Sequence, residues 1–181
     1  MKKNIPFFNY KEIFTNNENE FVKVYKDVCS RGAFILQSDL DEFEKNAARY
    51  LKVKHFIGVA NGTDAIWLGL KALDIGHEDE IIMPSHTYIA SAAAANFVGA
   101  IPILAECGSD HMLDPEDIEK RITSKTKAIM AVQINGRCCD MKRIIEISNK
   151  HNLLLIEDAA QAFGAKYNNQ NAGSFGEFGT F

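Results

Sequence analysis

Four short polar stretches carry the residue types that could do chemistry: "NGTD" (61–64), "SHTY" (85–88), "NGRCCD" (135–140) and "EDAAQ" (157–161). Asn61 and Gly62 form a tight turn, and Thr63 and Asp64 open a helix whose free N–H groups and dipole would hold a phosphate, with the Thr63 hydroxyl as a further donor. Asp64 would repel a phosphate and is expected to cap or to point elsewhere. Asp158 follows the apolar run "LLLI", and an ionised carboxylate at the end of a buried strand must be hydrogen-bonded or charge-paired. Its partner could be a Lys or Arg, a metal, or a protonated ring nitrogen. Gln161 offers a neutral donor to a ligand oxygen if a turn follows. Tyr88 presents an aromatic face that could cover a flat ligand, or it packs in the core. His86 reads as a surface or packing histidine.

These stretches need a scaffold that brings them to one edge. Two amphipathic helical patterns come first, "NEFVKVYKDVCSRG" (19–32) and "DLDEFEKNAARYLKV" (39–53), the second with Leu40, Phe43, Ala47 and Leu51 at helical spacing and Asp39 placed to cap it. Strands and helices then alternate. "HFIGVA" (55–60), "EIIMP" (80–84), "IPILAE" (101–106), "KAIMAVQI" (127–134) and "LLLIED" (153–158) read as strands. Helices follow at 63–76, 87–100, 114–122 and 140–152. Short apolar strands separated by helices mean an α/β fold, three-layered, with a mostly parallel sheet covered by helices on both faces. In such sheets ligands gather beyond the carboxyl ends of the strands, where all four stretches fall. "KYNNQNAGSFGEFGTF" carries turn chemistry and stops on Thr180 and Phe181, as though at the start of a further strand.

Composition excludes several classes. With 181 residues, 46% of them hydrophobic, the chain can bury a core as a soluble globule. A formal charge of −4 leaves no basic field for nucleic acid. The N-terminus lacks a signal-peptide core and no stretch is long enough to span a membrane, so a cytoplasmic location is expected. No GxGxxG is present. Cys29, Cys107, Cys138 and Cys139 show neither CxxC spacing nor a partnering His cluster, which argues against a zinc site or a disulfide framework.

Taken in order, "NGTDAIWLGLKAL", "GHEDEIIMPSHTYIASAAA", "GAIPILAE", "TKAIMAVQINGRCCDM" and "IEDAAQAFGAKYNNQNAGSFGEFGTF" resemble the successive blocks of the DegT/DnrJ/EryC1/StrS sugar aminotransferases, a branch of the fold type I pyridoxal phosphate enzymes. The resemblance runs from about residue 30 to the end. It implies pyridoxal 5'-phosphate as cofactor, with Gly62 and Thr63 on its phosphate, Tyr88 stacked on the pyridine ring, Asp158 on the ring N–H and Gln161 on the ring hydroxyl. It implies a structural role for Glu157, a nucleotide-linked keto sugar as substrate, an amino-acid donor such as glutamate, and a homodimer. The family's Schiff-base lysine would lie a few residues beyond Phe181, so no catalytic residue is assigned within the chain. The division expected is a helical segment over 1–53 and an incomplete cofactor-binding large domain over 54–181, without the family's C-terminal small domain. Two features depart from the family: Gln133, Ile134 and Asn135 where a His and an aromatic are common, and the cysteines of "GRCCDM". A sugar dehydratase of the same family, with His in place of the lysine, and a non-catalytic α/β module are the competing readings. A phospho-acceptor domain using Glu157 and Asp158 lacks the paired acids early in the chain that metal-assisted chemistry would want.

Overall fold

The computed structural model describes residues 5, 6 and 8–181, which divide into two compact units, Met1–Phe43 and Glu44–Phe181. The division falls inside a helix rather than at residue 53. In the first unit α1 spans Tyr10–Arg31, capped by Asn9, which accepts from Glu12 N–H, and ended by Gly32 in the left-handed conformation. It starts nine residues before the apolar periodicity indicates. α2 spans Ser38–Leu51. Asp39 does not cap it: the helix begins one residue earlier, and the Asp39 carboxylate receives Arg31 Nη2 at 2.9 Å instead.

The second unit is built on a five-stranded parallel sheet in the order β2-β1-β3-β4-β7, with β1 at Glu80–Pro84, β2 at Ile101–Ala105, β3 at Thr126–Val132, β4 at Leu154–Asp158 and β7 at Phe178–Thr180. Four helices serve it: α3 (Gly62–Ala72), α4 (Ile89–Phe97), α5 (Pro115–Arg121) and α6 (Met141–His151). Between β1 and β2 the chain steps one way across the sheet, and from β2 to β3 and β3 to β4 it steps the other way. Right-handed crossovers therefore set α4 on one face and α5 and α6 on the opposite face. The packing agrees: α3 lies against α4, and α5 against α6. The apolar centre is β1 and β3, where Ile81, Ile82, Met83, Ala128, Ile129 and Met130 have no exposed surface. A fully covered parallel sheet accounts for their unbroken hydrophobic runs.

The reversal of strand order leaves a crevice between the carboxyl ends of β1 and β3, the topological switch point of an open α/β sheet. "NNQN" turns a small antiparallel hairpin between β5 (Lys166–Tyr167) and β6 (Gln170–Asn171), and the residues before Phe181 do form a strand, β7.

One strand expected from sequence is absent. Residues 55–60 are not part of any strand, and Ile57 is 75% exposed. Apolar residues of high strand propensity make a strand only when another backbone lies alongside to complete the ladder. Here the backbone instead sends Gly58 N–H to Glu44 Oε1 at 2.7 Å. Among the described residues no helix is long and apolar enough to cross a membrane.

Candidate active site

Gly62, Thr63, Tyr88, Asp158 and Gln161, all five cofactor-site residues expected from sequence, line one cavity of about 210 Å³ at the switch point. Val132, Gln133 and Ile134 bound it at the end of β3, and Thr87 at the end of β1.

At one side is the start of α3. Asn61, extended at φ −166°, caps the helix by accepting from Asp64 N–H at 2.9 Å. The Asp64 carboxylate folds back, receiving Asn61 Nδ2 at 3.0 Å and Trp67 Nε1 at 2.8 Å. The acid that would repel a phosphate is thereby engaged within the helix's own first turn. Gly62 and Thr63, the first two helical residues, have no intrahelical acceptor for their amides by the geometry of the helix itself. Neutral donors and a positive dipole end thus remain at the cavity wall.

The same cavity is lined by Asp158, the last residue of β4 and only 6% exposed. Its Oδ2 accepts from Ser91 Oγ at 2.7 Å and its Oδ1 from Ala160 N–H at 3.3 Å. Among the described residues no Lys, Arg or His pairs with it, and no group of three or more His, Cys, Asp or Glu side chains could hold a metal there. A carboxylate held by two neutral donors and facing a cavity is an electrostatic site for a cation.

Glu157 goes to the other face of the strand, as successive strand residues must. It has no exposed surface, and it accepts from Phe175 N–H (2.6 Å), Gly173 N–H (2.8 Å) and Gln133 Nε2 (2.8 Å). Burial pushes its carboxyl above the usual range, opposed by these hydrogen bonds. Its part is structural: it fastens the 173–176 turn that leads into β7. Gln133 completes the same knot by accepting from Cys139 N–H at 2.7 Å.

A turn closed by Ala162 N–H to the Ala159 carbonyl, at 2.8 Å, places Gln161 beside the β3 loop. Gln161 Oε1 accepts from Asn135 N–H at 2.9 Å, which leaves its Nε2 as the donor without a partner among the described residues. Tyr88 is the N-cap residue of α4 yet makes no capping bond, and at 70% exposure it lies at the mouth of the cavity rather than in the core. His86 is exposed, its ring edge-on to that of His111 with centroids 6.0 Å apart. Burial pushes the Cys139 thiol up to about 12, which makes it an inert core group.

Two polar residues of this site escaped the sequence reading. Thr87 and Ser91 are 2.8 Å apart, one helical turn from each other. Their only signal is that spacing, polar residues flanking Tyr88 at the start of a helix otherwise rich in Ala.

The model of the DegT/DnrJ/EryC1/StrS aminotransferase family matches residues 15–181. The chain belongs to this family. It is 45% identical over 178 residues to the dTDP-3-amino-3,6-dideoxy-alpha-D-galactopyranose transaminase of Aneurinibacillus thermoaerophilus, covering 98% of this chain and 49% of that protein. Among solved structures it resembles DesV of S. venezuelae in complex with a ketimine intermediate, with TM-score 0.92 and 39% identity over 95% of this chain and 47% of that one. It also resembles NtdA of Bacillus subtilis with bound cofactor PMP, with TM-score 0.89 and 34% identity over 96% of this chain and 40% of that one. These neighbours are fold type I aminotransferases, and the chain spans about half the length of the curated relatives it matches. The family match starts at residue 15, earlier than the motif blocks reach. The cavity lining contains no lysine.

Proposed function

We propose that the complete protein carrying this chain is a pyridoxal phosphate-dependent aminotransferase that converts a nucleotide-linked keto sugar to the amino sugar. The observation that carries the reading is Asp158, buried at a cavity edge without a protein cation, with the helix N-terminus of Gly62 and Thr63 on the same cavity. These residues fit the cofactor by charge. A phosphate suits the amides of Gly62 and Thr63, a protonated pyridine nitrogen suits the Asp158 carboxylate, and a ring hydroxyl suits the unpartnered Nε2 of Gln161. Tyr88 would cover the ring face. When bound, pyridoxal phosphate supplies the electron sink for moving a proton at an amino-bearing carbon.

The chain's own groups have separable parts in this. The α3 N-terminus neutralises the phosphate, and Asp64, turned onto Trp67, keeps its charge out of the way. Asp158 holds the proton on the ring nitrogen, because its carboxylate finds no other cation. Glu157 and Gln133 hold the surrounding loops and take no part in proton movement. The lysine to which the cofactor would be attached is not among the cavity residues of this chain. We place it, with the small domain, in the remainder of a cytoplasmic homodimer that takes its amino group from an amino acid such as glutamate. The relative from Aneurinibacillus is named as a dTDP-sugar transaminase, which supports the sugar-nucleotide substrate class.

The test is Asp158→Asn in the complete protein, assayed by mass spectrometry for amination of dTDP- and GDP-linked keto sugars. Turnover should fall by roughly 10²-fold or more, the scale for losing one preorganised electrostatic partner, while the fold is retained. Undiminished turnover refutes the assignment of Asp158.

A further inference from the structure

Resting on that reading, we infer that Ser91 is a positioning residue for Asp158, fixing its carboxylate as an oriented acceptor for the ring nitrogen of the cofactor. Ser91 lies 67 positions away in sequence, has no exposed surface, and donates to Asp158 Oδ2 at 2.7 Å. A hydroxyl has one proton. With that proton on Asp158, the 2.8 Å contact between Ser91 and Thr87 requires Thr87 to donate and Ser91 to accept. The protons of the relay thus run one way, from Thr87 to Ser91 to Asp158. Each bond polarises the next.

Position adds a second consequence. Ser91 belongs to the first turn of α4, whose N-cap is Tyr88, and its own N–H donates to the Tyr88 carbonyl at 3.2 Å. Asp158 ends β4, which β3 separates in the sheet from β1, the strand that leads into α4. One hydroxyl therefore ties the helix bearing the ring-covering residue to the strand bearing the ring-pairing residue. Because Ser91 is fully buried, losing its hydroxyl removes a donor from a carboxylate oxygen inside the protein.

The experiment compares the complete wild-type protein with Ser91→Ala and Thr87→Val, measuring equilibrium dissociation constants for pyridoxal phosphate and for its 1-deaza analogue, in which a C–H replaces the ring nitrogen. Both ligands keep the phosphate, the aldehyde and the ring hydroxyl. Wild type should favour pyridoxal phosphate. Ser91→Ala should weaken pyridoxal phosphate about tenfold, about 1.4 kcal/mol, and leave the analogue within about twofold, since the lost bond acts only through the nitrogen. Thr87→Val should act in the same direction by a smaller factor. Equal weakening of both ligands, or of neither, by Ser91→Ala overturns the inference, since a merely structural serine would not distinguish them. If circular dichroism shows that Ser91→Ala does not fold, Thr87→Val decides by the same comparison. Failure of the wild type to bind either ligand would defeat the cofactor reading itself, whereas tight wild-type binding without discrimination by the variants defeats only the role of Ser91.

Discussion

Replacing Glu157 by glutamine keeps the side-chain volume and removes one acceptor oxygen, so it isolates the electrostatic part of the knot behind the site. In the wild type Oε1 accepts from Phe175 N–H, and Oε2 accepts from both Gly173 N–H and Gln133 Nε2. A glutamine loses least by turning its NH2 toward Phe175, where a buried amide then faces a donor at a cost of about 1–3 kcal/mol. The two bonds retained lose their charge assistance, for about 1 kcal/mol more, and relief from burying a charge returns part of the sum. The net is about 2 kcal/mol, or roughly 30-fold in the local opening equilibrium. Native-state hydrogen exchange reads this directly: the Gly173 and Phe175 amides should exchange roughly 30-fold faster, while Ile82 and Met83 in the centre of the sheet stay protected. Burial raises the Glu157 carboxyl above its unfolded value, so the native chain binds this proton more tightly than the unfolded chain. The contribution to stability is therefore fully present below the usual carboxylate range, falls as pH rises through it to the raised value, and is level above. Glu157→Gln should abolish that slope. Unchanged exchange at Gly173 and Phe175, or a persisting slope, would refute the structural role given to Glu157.

Two further outcomes follow from the packing. Helix propensity alone favours Gly69→Ala by about 1 kcal/mol, but a Cβ at Gly69 would run into the Phe178 ring, so the variant should lose about 1–2 kcal/mol in chemical denaturation; a stabilised variant would show that the Phe178 ring does not lie against Gly69. The Cys139 thiol, buried and raised to about 12, should escape iodoacetamide at pH 8 in the folded protein and react in urea, with peptide mass spectrometry as the readout.

Much of the architecture was legible because it rests on local rules. β1 forms over the stretch "EIIMP", and α5 opens at Asp114, which accepts from Glu116 N–H with Pro115 in the first turn, as that stretch indicates, whereas α3 starts at Gly62 with Asn61 as its cap, one residue before the expected Thr63. The site was legible for a related reason: in a parallel α/β sheet the residues just past the strands share one edge whatever the details of packing. Period-two alternation likewise separates Glu157 from Asp158 without any coordinates.

The sequence alone determined the layered parallel class and most of the order of elements, since these follow from spacing and capping read within a few residues, while the family and the five residues expected at one site came from the resemblance of its motif blocks. Tertiary structure alone decided that Gly58 N–H goes to Glu44, that Asp39 belongs to Arg31 rather than to a cap, and that Ser91 donates to Asp158. Such facts depend on which backbone or side chain arrives from elsewhere in the chain, 67 positions away for Ser91. Local propensity has no access to a partner at that separation; the partner exists only once the sheet has brought the two segments to the same edge.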